Sequence, residues 1–86
     1  MYRIFYEERV RKDLKKIPGN FTNIVLASVN KLAANPVPHG YKKIAGQKGL
    51  YRIRQGDYRI VYTINHSARE IKIILIRHRK DSYRNF

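Results

Sequence analysis

The chain has 86 residues, enough for one domain with a single modest core, and its 43% hydrophobic and 12% aromatic content suits a folded protein. Cysteine is absent, which excludes a disulfide framework and a zinc–thiolate site, and no apolar run approaches the roughly 20 residues of a membrane span. Nineteen Lys and Arg against six Asp and Glu give a net charge of +13, a field that attracts polyanions such as nucleic acid or an acidic protein.

Tyr2-Arg3-Ile4-Phe5-Tyr6 is short, aromatic and alternating, and predicts a strand. Val10, Leu14 and Ile17 recur at i, i+4 and i+7, so a helix is expected from about Glu8 to Ile17, with Glu7 and Glu8 at its positive end. Pro18-Gly19-Asn20 ends it and offers Asn20 as the cap of a second helix. Phe21, Ile24, Val25, Val29, Leu32 and Ala33 keep helical spacing to about Ala34, where Asn35-Pro36 stops it. These apolar stripes are core. Tyr41 to Ile44 has room for a short strand after the irregular connector, and Ala45-Gly46-Gln47-Lys48 follows as a loop.

The stretch from Gly49 to Ile64 reads as a hairpin folded at Gln55-Gly56. Tyr51 and Ile53 alternate with Arg52 and Arg54, then Tyr58, Ile60, Tyr62 and Ile64 with Arg59 and Thr63. A loop of two or four residues sets Ile53 against Tyr58 and Arg52 against Arg59, and it gathers Arg52, Arg54 and Arg59 on one face. Facing like charges cost a sheet roughly 0.2–1 kcal/mol per pair. That arrangement suits an anionic ligand better than it suits stability. Glu70 to Arg77 is the most apolar strand, buried on much of both faces, and the tail from His78 to Phe86 is too polar for core.

The order β-α-α-β-β-β predicts an α+β fold: an antiparallel sheet with the N-terminal strand, the two-helix hairpin packed on one face, and the other face open for the arginines. Residues 1–86 form one domain without repeats or linkers. No signal-peptide core follows Met1, which points to the cytoplasm.

Three passages carry a resemblance: Tyr41-Lys42-Lys43-Ile44 with its glycine-containing loop, the Leu50-Tyr51-Arg52-Ile53-Arg54…Tyr58-Arg59-Ile60-Val61-Tyr62 pattern, and Ile76-Arg77-His78-Arg79-Lys80-Asp81-Ser82-Tyr83-Arg84. Together they resemble the RelE/ParE toxin superfamily of toxin–antitoxin systems, over essentially the whole chain. The RelE-like branch implies ribosome-dependent cleavage of mRNA in the A site without a metal or other cofactor, and neutralisation by a cognate antitoxin. Its functional positions match Arg52, Arg54, Arg59, Arg79 and Tyr83 here. The family often carries lysine where this chain has Arg52 and Arg54, and arginine, with a pKa above roughly 12, does not serve as a general base. Both are therefore expected to orient RNA and stabilise charge, while Arg59 and Arg79 grip the phosphoryl oxygens.

Tyr83 would stack on a base or exchange a proton, and His78, the nearby side chain that titrates near neutrality, is the alternative acid or base. Lys42, Lys43 and Lys48 are expected to contact phosphate or the ribosome without sequence preference. No His/Asp/Glu cluster has metal-ligand spacing and no nucleotide-binding glycine loop is present. A basic strand face is often only a solvated surface, and two other functions compete with the nuclease: a ParE-like inhibitor of DNA gyrase, and a basic nucleic-acid-binding module without catalysis. The expected partners are the antitoxin, the ribosome and mRNA, with no membrane.

Overall fold

The two ends of the described chain lie side by side in one sheet, the N-terminal strand at its edge. A computed structural model describes residues 1–80, with β1 (Arg3–Tyr6), α1 (Arg9–Lys15), α2 (Gly19–Lys31), β2 (Lys42–Lys43), β3 (Tyr51–Gln55), β4 (Tyr58–Asn65) and β5 (Glu70–His78). The sheet order is β1-β5-β4-β3-β2. The α+β architecture and the additional short strand after Tyr41 are as expected. One pairing refines the antiparallel sheet: β1 runs parallel to β5, from Arg3 beside Glu70 to Tyr6 beside Ile73. No hairpin joins these two strands, so nothing local holds them antiparallel.

Both helices lie on one face. Val10, Ile17, Val25, Val29 and Leu32 interlock with Ile53, Ile60, Tyr62, Ile71, Ile73 and Ile76 in a single buried cluster. Each such side chain, fully buried, contributes about 1.5–3 kcal/mol. Tyr62 sits at the centre and donates its hydroxyl to the Pro36 carbonyl at 2.6 Å. Burial pushes its phenol pKa well above the ordinary value, with Tyr41 and Tyr51 adding to the shift. α2 begins at Gly19 with Pro18 in the cap position and no side-chain cap bond, so Asn20 lies inside the helix and does not cap it. Thr22 instead turns its hydroxyl back to the carbonyls of Ile17 and Pro18.

The opposite face is not fully open. Val61, Ile74 and Leu75 form a second buried cluster, against which Ile44 and Leu50 pack from the β2–β3 connection. The Ile44 amide, bonded to the Leu50 carbonyl at 2.9 Å, closes that connection. What is left of this face, toward the β3–β4 turn, carries the arginines.

Candidate functional site

The β3–β4 hairpin turns at Gly56-Asp57, one residue later than the sequence pattern suggested, because Gln55 pairs with Tyr58. Gly56 takes φ +60 at the first turn position, where a side chain would be strained and glycine is not. Arg54 therefore stands opposite Arg59, and Ile53 opposite Ile60, in place of the expected Arg52–Arg59 and Ile53–Tyr58 pairs. The shift is two places in register, so parity survives. Arg52, Arg54 and Arg59 share the face turned away from the helices, and Lys42 joins them opposite Arg52.

β5 decides the remaining residues. Val61 pairs with Leu75 and Tyr62 with Ile73, leaving Ile74 as an extra residue in β5. Such a bulge reverses the alternation beyond it. Ile76 turns inward, while Arg77 comes opposite Arg59 on the outer face. His78 then pairs with Tyr58 and meets its ring edge-on at 5.4 Å, on the helix side. There it lines an apolar groove with Phe21, Ile24 and Tyr58. The sheet thus separates His78 from the arginines, a correction to its expected place as their acid or base partner. Its Nδ1 accepts a bond from the Lys80 amide.

Arg77 is committed elsewhere. Beyond Ile73, β5 has no β1 residue beside it, and the buried Asp13 of α1 fills the gap. One carboxylate oxygen accepts from the Ile76 amide at 3.0 Å and the other from Arg77 Nη1 at 2.8 Å. Asp13 went unnoticed in the sequence because its partners lie more than sixty positions away. The sequence offers only one hint, an acid on the helix that faces the most apolar strand.

Arg79 completes the outer cluster. Its amide bonds the Asp57 carbonyl at 2.6 Å, and its Nε lies 3.5 Å from the Asp57 carboxylate. Arg54, Arg59, Arg79, Gly56 and Asp57 line a cleft of 190 Å³. The arginines feel one another there: burial lowers the pKa of Arg59, and Arg54, Arg52 and Arg79 lower it further. Arg52 is lowered by burial and then by Arg54. After burial, the second cause of these shifts is mutual repulsion, which an anion would relieve.

Of the three lysines, Lys42 lies on the arginine face, whereas Lys43 pairs with Tyr51 in the neighbouring, oppositely directed row. Lys43 and Lys48 line a separate groove with Gly46 and Gly49. Tyr83 lies outside the described residues. Among the described residues no group of three or more His, Cys, Asp or Glu is placed to hold a metal ion, and no helix is long and apolar enough to cross a membrane.

Residues 4–83 match the family model for the ParE toxin of type II toxin–antitoxin systems. The chain is 32% identical to the toxin RelE3 of Methanocaldococcus jannaschii, over 98% of each chain. Among solved structures it is similar to the toxin in the archaeal RelE–RelB complex from Pyrococcus horikoshii, at 31% identity and a TM-score of 0.79, covering 94% of this chain and 98% of that one. The isolated E. coli RelE toxin shares the fold at a TM-score of 0.79 and 19% identity, covering 96% of this chain and 89% of that one.

Proposed function

Because this chain belongs to the RelE/ParE superfamily of type II toxin–antitoxin toxins, in its RelE-like branch, we propose that it is a ribosome-dependent endoribonuclease that cuts mRNA in the A site. It would act in the cytoplasm and arrest translation. The observation that carries this reading is the convergence of Arg54, Arg59 and Arg79 on one cleft.

In the proposed reaction the 2′-hydroxyl attacks the adjacent phosphorus and the 5′-oxygen leaves, giving a 2′,3′-cyclic phosphate and a 5′-hydroxyl end. Negative charge grows on the phosphoryl oxygens, where arginine forks are strongest. Arg59 and Arg79 take those oxygens, Arg54 supports them, and Arg52 with Lys42 guides the neighbouring backbone along the same face. The described cleft lining holds no histidine. Proton exchange therefore falls to Tyr83, proposed on the family resemblance alone, or to groups of the ribosome and its substrate. A cleft with no histidine among its described residues fits a reaction that relies on external alignment of the RNA, as on a ribosome-bound substrate, with slow cleavage of free RNA. The arginines supply the charge stabilisation, so this route calls on no metal.

The partner that silences the toxin is proposed to be a cognate antitoxin, acidic in the segment that covers the arginine face. The similar archaeal toxin was solved as a RelE–RelB complex, which supports this partner. The match to a model named for ParE keeps one other function in view, inhibition of DNA gyrase.

In vitro translation with purified protein, with mapping of new mRNA ends, separates the two. Cuts confined to A-site codons, with 5′-hydroxyl ends, are expected. Intact mRNA and undisturbed translation would refute the nuclease, and a gyrase supercoiling assay would then be decisive.

A further inference from the structure

Among the described residues, the arginine cleft contains one carboxylate, and no function above uses it. Asp57 occupies the second position of the β3–β4 turn, among Arg54, Arg59 and Arg79. It touches Arg79 twice, through its main-chain carbonyl at 2.6 Å and its side chain at 3.5 Å. The first contact extends the β4–β5 pairing one step past Tyr58 and His78 and brings the chain after β5 alongside the turn. The second acts on the guanidinium itself. Both members of the ion pair are more than half exposed, so the side-chain contact is weak and readily exchanged for another anion.

We propose that Asp57 is a positioning residue for the reaction: its carboxylate holds the Arg79 guanidinium in the cleft until an RNA phosphate takes it over. The inference rests on the nuclease reading for its chemistry. A turn residue is a suitable place for such a group, because the turn is fixed from the other side of the sheet. Ser28 bonds Gln55 at 2.5 Å, and Phe21 packs on Tyr58 with ring centres 6.3 Å apart. The carboxylate therefore sits on a held support, while Arg79 follows the last residue of β5. Asp57 also opposes binding, since its charge competes with phosphate for the same guanidinium. Removing that charge should loosen Arg79 and slow cleavage, yet should not weaken RNA binding. Structural damage would lower both together.

Four proteins test this: wild type, Asp57→Asn, Arg79→Ala and the double variant. Each is measured for single-turnover cleavage on programmed ribosomes and for affinity toward an oligonucleotide blocked by 2′-O-methylation. Thermal unfolding checks that Asp57→Asn melts with the wild type. Asp57→Asn is expected to slow cleavage about tenfold while affinity stays level or tightens by a factor of about two to five. In the Arg79→Ala background the same substitution should leave the rate unchanged. Equal rates for wild type and Asp57→Asn would overturn the proposal, as would an equal slowing in both backgrounds, which would mark Asp57 as acting on its own. Wild-type protein that cleaves nothing would refute the nuclease reading instead. The affinity arm would then still decide, because a gain that persists in full without Arg79 contradicts the link.

Discussion

Two arginines, two positions apart at the end of β5, each pair with an aspartate, and the two pairs are built for different purposes. Arg77 meets Asp13 at 2.8 Å with 3% of the Asp13 side chain exposed; Arg79 meets Asp57 at 3.5 Å with 60% of the Asp57 side chain exposed. Burial makes the first pair obligatory. Its carboxylate also serves the Ile76 amide, so it stands in for a missing strand as well as for a counter-ion. Exposure makes the second pair exchangeable, since water and other anions compete for both members. The same residue types therefore close the sheet edge at one position and leave a cation open to exchange with another anion two residues later.

The sharpest way to break this comparison is to remove the buried partner. Asp13→Ala leaves Arg77 without its carboxylate and the Ile76 amide without its acceptor, and should cost about 3 kcal/mol of stability, measured by urea unfolding. Loss of the exposed partner should barely register there: Asp57→Ala is expected to cost under about 1 kcal/mol. If both variants lost the same stability, the contrast between the pairs would fail.

On the cleft side, Arg59→Ala should cost about 100-fold in cleavage rate, the usual scale for one group that stabilises transition-state charge. Quantified 5′-hydroxyl ends on stalled ribosomes give that number, and a rate within a factor of two of wild type would remove Arg59 from the machinery.

Tyr62→Phe probes the core on the helix side of the sheet and should cost about 1 kcal/mol for the lost bond to Pro36. It carries a pH signature as well. The folded state holds the Tyr62 proton more tightly than the unfolded state does, so the unfolded chain binds fewer protons once pH passes about 10. The stability from this group is complete below that pH and falls as pH rises above it. Unfolding curves from pH 8 to 11 should show a steeper alkaline loss in wild type than in Tyr62→Phe.

Alternation made the arginine face legible in the sequence. Tyr51 through Tyr62 repeats every second residue, so any even loop length places Arg52, Arg54 and Arg59 together, and the misplacement of the turn by one residue changed which arginines face each other without changing their side. β5 offered no such guide. Nearly every position from Ile71 to Ile76 is apolar, so the chain carries no period from which to read its faces. The bulge at Ile74, which sends Arg77 to one side and His78 to the other, arises from pairing with β4 and leaves no local mark. Asp57 could have been suspected as a turn residue, but its contact with Arg79 depends on the register of β5 and was hidden for the same reason.

The most direct test follows the arginine side chains themselves. NMR of the guanidinium Nε–H groups, during titration with the 2′-O-methylated oligonucleotide, reports each arginine separately. Arg54, Arg59 and Arg79 should shift together and saturate at one oligonucleotide concentration, while Arg77 stays with Asp13 and does not move. Shifts at Arg77 as large as those at Arg59, or no shift at the three cleft arginines, would contradict a phosphate site on this face of the sheet.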